Sequence, residues 1–241
     1  MRRINNKLRA DTLEYTIIRR RRLTKHLHME LDQQGGLVVV APNHWSRRYI
    51  RTTLAQNIPS VESFLAKARE RHANPLQYVH GEHHFYLGER YPLVIHPITA
   101  GKSHIALVDG EIRICAPGSQ PEKIQTILQN WYRHKAGVVF NERLAVISRR
   151  APWTRDKIIP LKLRRMKRSW GNCSSKGVIK LNTHLVKAPL AIIDSVIAHE
   201  LCHLEEMNHS RAFYALLEKL NPAWRRDHAQ LRSGGFIYLL K

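Results

Sequence analysis

Three histidines and a glutamate stand close together near the C-terminal end of this 241-residue chain: His199, Glu200, His203 and His209, in VIAHELCHLEEMNHSRAF. On a helix, positions i and i+4 share a face, so the imidazoles of His199 and His203 can reach one ion. Imidazole nitrogen suits zinc, and a catalytic zinc site keeps one position open for water. Glu200 falls about 100° around the helix from His199, beside the ion rather than among its ligands. A carboxylate placed there can serve as general base toward a water that the metal activates. The chemistry written into H-E-x-x-H is therefore hydrolysis.

A third ligand has two candidates. Positions 199, 203 and 206 share a helical face, which puts Glu206 forward. His209 matches the spacing of H-E-x-x-H-x-x-G-x-x-H, although Glu206 occupies the glycine position of that pattern. Asn208 tolerates the left-handed conformation that ends helices, so a helix stopping there would let His209 fold back. Three imidazoles favour zinc and are compatible with nickel, cobalt or manganese.

The elements that position these groups follow from periodicity. Apolar Leu190, Ile193, Ile197, Leu201 and Leu204 form a stripe, so the histidine segment reads as an amphipathic helix opened by Pro189. A second helix starts at the N-cap residue Ser210 and runs to about Leu220. Upstream, LKLRRMKRSW and VIKLNTHL read as strands around a GNCSSKG loop. Helix 121–148 starts on Pro121 and lines Ile124, Ile127, Leu128 and Trp131 along one face. Strands are expected at 15–18, 26–31, 37–42 and within HHFYLGERYPLVIHP. Asp109-Gly110 between two alternating runs signals a hairpin. Helix 60–71 takes Ser60 as its N-cap. The fold class is thus α+β: a β-rich N-terminal half with a long connecting helix, 1–150, then a metal-binding region, 151–241. No internal repeat or low-complexity tract is evident.

Composition bounds the function. Hydrophobic residues make up 43% of the chain, enough for a sizeable core. No apolar run reaches the roughly 18 residues of a membrane span, and no secretory signal opens the chain. Three scattered cysteines fit a reducing, cytoplasmic setting. Charge is the outlier: 40 Lys and Arg against 19 acidic residues, a net of +21, which points to an anionic partner. Residues 155–187 hold ten Lys or Arg and one acid, whereas 188–241 hold six of each. Arg164, Arg165, Lys167 and Arg168 form the densest basic run; alternate residues of a strand there would face a cleft. Trp170 and Asn172 fall at the cleft rim on this reading. Cys202 reads as a core residue, and Cys173 as an unreactive thiol beside the site rather than a reactive one. His26, His28, His80, His83 and His84 read as surface histidines without an acidic partner, and Asp227-His228 as a weak candidate for supporting the site.

These motifs resemble the YgjP-like metal-dependent hydrolases, a metallopeptidase domain of the zincin type. The resemblance is carried by SWGNCSSKGVIKLN, VIAHELCHLEEMNHSRAF and NPAWRRDHAQL. Asn172 stands where the family has serine, and Ser169 where a basic residue is common. The resemblance implies a zincin-like C-terminal region with the H-E-x-x-H helix under a small sheet. It also implies a strand bordering the cleft, and His199, His203 and His209 as ligands. Three functions compete. The first is a zinc peptidase, with an extended peptide pairing to the cleft strand. The second is a nucleoside triphosphate pyrophosphohydrolase, acting for example on UTP, with Arg165 and Arg168 holding phosphates. The third is a nucleic-acid-associated protein with a structural metal. Oligomeric state is left open.

Overall fold

A computed structural model describes residues 5–8, 13–20, 27–31, 36–73, 76–166, 169–234 and 238. The chain divides into two compact units, Met1–Pro75 and Leu76–Lys241. The expected division near residue 150 falls inside the second unit.

In the first unit, strands β1 (Asn5–Leu8), β2 (Leu13–Arg20), β3 (His28–Leu31) and β4 (Leu37–Pro42) form one sheet in the order β1-β2-β4-β3. β2 runs parallel to β4, and the other neighbours are antiparallel. LVVVAP is buried along its whole length, as its unbroken apolar run requires of a central strand. Pro42 closes β4 at its last position, where a missing N–H is tolerated. Ser46 then caps helix α1 (Arg47–Gln56), its hydroxyl accepting the N–H of Tyr49 at 3.1 Å. This helix is absent from the sequence reading, because only Ile50 and Leu54 mark its buried face among arginines and threonines. Helix α2 (Ile58–Ala73) begins before Ser60, which is an interior residue and not its cap.

The second unit begins by repeating that layout. Strands β5 (His83–Tyr86), β6 (Glu89–Ile98), β7 (His104–Val108) and β8 (Glu111–Pro117) take the order β5-β6-β8-β7, with β6 parallel to β8. Asp109 and Gly110 both have positive φ, 51° and 76°, as the tight turn between β7 and β8 demands. Helix α3 (Pro121–Ser148) matches its expected span and buries Ile124, Leu128, Trp131 and Phe140. The repeat escaped the sequence reading.

A three-stranded sheet follows, from β9 (Leu161–Arg164), β10 (Gly171–Cys173) and β11 (Ile179–Asn182), in the order β10-β11-β9. The basic run is therefore not one strand: β9 ends at Arg164. Beyond it, the fully buried Asn182 takes over the backbone. Its Nδ2 donates to the carbonyls of Met166 (2.8 Å) and Ser169 (3.0 Å), so those groups leave the ladder. Likewise GNC is strand, and Thr183–Lys187 is a 3₁₀ turn rather than the end of a strand. Helix α4 (Leu190–Cys202), with Pro189 as N-cap, is buried nearly all round rather than on one stripe, being packed by α3 and β10. Arg143 on α3 grips Asp194 on α4 with two bonds of 2.7 and 2.6 Å. Helix α5 (Arg211–Leu220) starts on Ser210 as expected, and α6 (Trp224–Gly234) adds a helix the sequence reading lacks. Both pack on α4. Among the described residues, no helix is long and apolar enough to cross a membrane.

Candidate functional site

α4 carries His199 and Glu200 in its last turn, and His203 is its C-cap residue. The helix thus ends about five residues before Asn208, and Asn208 has no left-handed backbone. The return is made by a tight set of bonds: the N–H groups of Glu205 and Glu206 both reach the Cys202 carbonyl, at 3.1 and 2.9 Å. The chain then leads straight to His209, one residue before the cap of α5. Trp153 Nε1 donates to the carbonyl of Leu201 at 2.8 Å and holds the end of α4 in place.

The candidate ligand nitrogens of His199, His203 and His209 lie within 4.8 Å of one another, and the Nε2 atoms of His199 and His209 are 3.0 Å apart. Glu206 is not in the group; its carboxylate instead accepts the N–H of Asn208. Phe213, fully buried, is the floor under all three rings, with centroids 4.9, 4.6 and 4.7 Å away. One N-cap therefore serves the site twice: Ser210 starts α5, and α5 brings Phe213 beneath the histidines.

The donor set fits a divalent ion. Burial, then the neighbouring histidines, holds His199 down to about 3, and burial lowers His209 as well. Both rings are neutral at physiological pH, which metal ligation requires. His203 Nδ1 lies 3.1 Å from the carbonyl of Glu206. A carbonyl only accepts, so Nδ1 donates there and Nε2 is the ring's candidate ligand atom.

Glu200 is only 5% exposed. A Cβ on Gly171 of β10 would crowd its carboxyl, so a larger residue there would force the Glu200 side chain to shift. Burial pushes the carboxyl up to about 8, opposed by the backbone N–H of Cys173. Oε2 is buried without a hydrogen-bond partner among the described residues. Such an atom costs about 1–3 kcal/mol when left unmade, so it marks a place kept for something else.

A cavity of about 370 Å³ opens beside this carboxyl, lined by His199, Glu200, Trp170, Trp224, Asp227 and His228 among others. Of the other residues expected to hold substrate, Asn172 is exposed on β10 and Arg165 is exposed near Tyr78 and Lys187; neither lines the cavity. Arg168 lies outside the described residues. Lys162 and Arg164 are exposed on β9, with β11 between that strand and β10. Among the described residues, the basic excess of this segment is thus not gathered on the cavity wall.

Two cysteine expectations hold: Cys202 is fully buried, with burial pushing its thiol up to about 12, and Cys173 is buried and raised. His28 is exposed, and His26 lies outside the described residues. His84 overturns the surface reading. The alternation of β5 turns it inward, where it is 2% exposed and 2.9 Å from Glu82. Asp227 and His228 prove closer to the site than expected, because the unforeseen α6 carries them. Phe213 as a floor and Gly171 as a clearance were also missed. Their only sequence signal is a glycine and an aromatic residue at fixed distance from the histidines.

Comparison with solved structures gives a partial likeness to the metallopeptidase zymogen abylysin of Pyrococcus abyssi. It has 22% identity and a TM-score of 0.34, over 39% of this chain and 90% of that one. Comparison with curated proteins gives no significant match. The profile described as YgjP-like, metallopeptidase domain, matches residues 25–234, nearly the whole chain, and the protein belongs to that YgjP-like family.

Proposed function

We propose that this protein is a metal-dependent peptidase, with His199, His203 and His209 holding one divalent ion, zinc in the first place, and Glu200 as general base. One observation carries the reading: three imidazoles converge on one point, and a buried carboxyl with an unpartnered oxygen shares a cavity with one of them. When bound, the ion supplies Lewis-acid polarisation of the scissile carbonyl and acidifies water.

The chain's own groups do the rest. Glu200 takes the proton of the attacking water at Oε2 and returns it to the leaving amine. Gly171 leaves the carboxyl room, and the Cys173 N–H supports its charged form. β10 offers the peptide a backbone edge. Trp170 and Ser174 bond across to Asn182 and Val178, so by alternation Gly171 and Cys173 turn their backbone groups the other way, toward Glu200. An extended substrate can add to that edge as a strand.

The test is metal content together with turnover. One transition ion per chain is expected, lost on His199→Ala. Peptide cleavage is expected to fall by about 10²–10⁴ on Glu200→Gln with the metal retained. A metal-free wild type, or equal turnover by Glu200→Gln, sinks the proposal. A panel of nucleoside triphosphates run in parallel separates peptide from phosphoanhydride hydrolysis.

A further inference from the structure

We propose that the cavity beside Glu200 is a subsite for a large apolar side chain, so that cleavage falls next to such a residue; this rests on the peptidase reading above. Its volume, about 370 Å³, is more than twice that of an engineered apolar cavity of about 150 Å³ known to bind benzene. It has room for an aromatic or long aliphatic side chain. Apolar side chains from three helices make up part of its wall, beside the polar groups of the site. α4 gives Ile192 and Val196, at i and i+4 on the face that carries His199 at i+7. α5 gives Leu217, and α6 gives Trp224 and Leu231. A side chain entering there lies within two helical turns of a proposed ligand.

Of the charged groups in the cavity, Glu200 belongs to the proposed catalytic set, and Asp227 and Arg232 do not compete for that role. Asp227 is 2% exposed, and both its oxygens are occupied. Oδ2 accepts Asn221 Nδ2 at 3.1 Å, and Oδ1 accepts Arg226 Nε and Nη2 at 3.2 and 3.1 Å. A substrate lysine or arginine would have to displace Arg226. It would also pass Arg232, which lines the cavity and is exposed. An acidic residue could meet Arg232 only at the mouth and would leave the apolar walls unfilled. Burial of apolar surface therefore decides the occupant.

The experiment is digestion of an equimolar peptide library by the metal-loaded full chain, with the cut sites read by mass spectrometry. Phe, Tyr, Trp, Leu and Met are expected on one side of the cut, enriched roughly tenfold to a hundredfold over Ala. Leu231→Trp fills the cavity from a half-buried position and is expected to shift the ratio toward Ala and Ser with metal content retained. Cutting without side-chain preference, or beside charged residues, overturns the subsite and leaves the peptidase reading standing. If nothing is cut beyond the Glu200→Gln background, the peptidase reading fails and binding decides the subsite. N-acetylphenylalaninamide is expected to shift the indole resonances of Trp170 and Trp224, whereas N-acetylargininamide is not. No shift from the phenylalanine amide sinks the subsite.

Discussion

The two units start from one plan and diverge in what they bury. Each lays four strands in the same order, with a six-residue parallel register that ends on an Ala-Pro pair, Ala41-Pro42 in one and Ala116-Pro117 in the other. Each follows with a helix that buries isoleucine and leucine one turn apart, Ile50 and Leu54 or Ile124 and Leu128. The first unit's core contains only apolar residues and Tyr15. The second extends its sheet and helix with 93 further residues, 149–241, and among the described residues every buried polar or charged side chain belongs to it. Glu200, Asn182, Asp227, His84 and Lys187 all cost desolvation, whereas in the first unit Glu30 stays half-buried with one carboxylate oxygen out of reach of solvent. The shared plan is thus a scaffold, and the buried polar groups show where it has been put to use.

That contrast breaks most sharply at Glu200. Glu200→Gln is expected to lower peptide cleavage by about 10²–10⁴ without loss of metal, whereas Val39→Ala in the first unit leaves cleavage by the folded protein unchanged. Steady-state kinetics on one peptide read both. Equal losses would place part of the chemistry in the first unit. Next comes the floor of the histidine cluster. Phe213→Ala is expected to cost about 3–5 kcal/mol, and Phe213→Leu to keep the fold while weakening metal binding by 10–100-fold. Competition with a chromophoric chelator measures the second figure. Undiminished affinity in Phe213→Leu would reduce Phe213 to ordinary core.

The matched leucines sharpen the comparison further. Leu54 and Leu128 are each 1% exposed, so replacing either by alanine is expected to cost about 2–5 kcal/mol. Only Leu128→Ala should also reduce metal retention on mild heating, because α3 packs against α4 and α4 carries the histidines. Thermal melts with metal release monitored alongside distinguish the two. Matching metal loss from both variants would show that the units do not act independently.

How far these contrasts could be read beforehand depends on how local their causes are. α3 is legible to the residue because Pro121 and a long apolar face are local signals. The turn at Asp109-Gly110 is equally plain, and so is H-E-x-x-H. The repeated plan is not legible, since it survives as strand order and a few buried positions rather than as shared sequence. α6 hides because WRRDHAQLRSG is mostly polar and faces the cavity with only a few residues. β9 stops early for a reason eighteen residues away, the buried side chain of Asn182. His84 looked exposed because its acidic partner, Glu82, is recognisable only once β5 turns the ring inward. The +21 charge points to an anionic partner without placing it, because composition does not say which face a charge occupies.

The smallest effect concerns the pH dependence of the second unit. Lys187 sits with Nζ 4.9 Å from the Tyr132 ring centroid, near Arg165 and His84, and burial, then Arg165, lowers it to about 7. The folded chain therefore sheds this proton near pH 7, and the unfolded chain near 10.5. Between those values the unfolded state holds more protons, so stability rises with pH across the window and is lost as pH falls through 7. From pH 7 to 9 the gain is about 2 kcal/mol. His84, lowered by burial to about 4, adds a rise of the same sign between 4 and 6.5. Amide exchange in α3 and the 3₁₀ turn Thr183–Lys187 should slow relative to α1 as pH rises from 7 to 9, after correction for intrinsic rates. Lys187→Met should flatten that difference while leaving the rise below pH 6.5 intact. A slope unchanged by Lys187→Met would mean that Lys187 holds its proton in the folded chain as firmly as in the unfolded one, and that its burial carries no pH dependence.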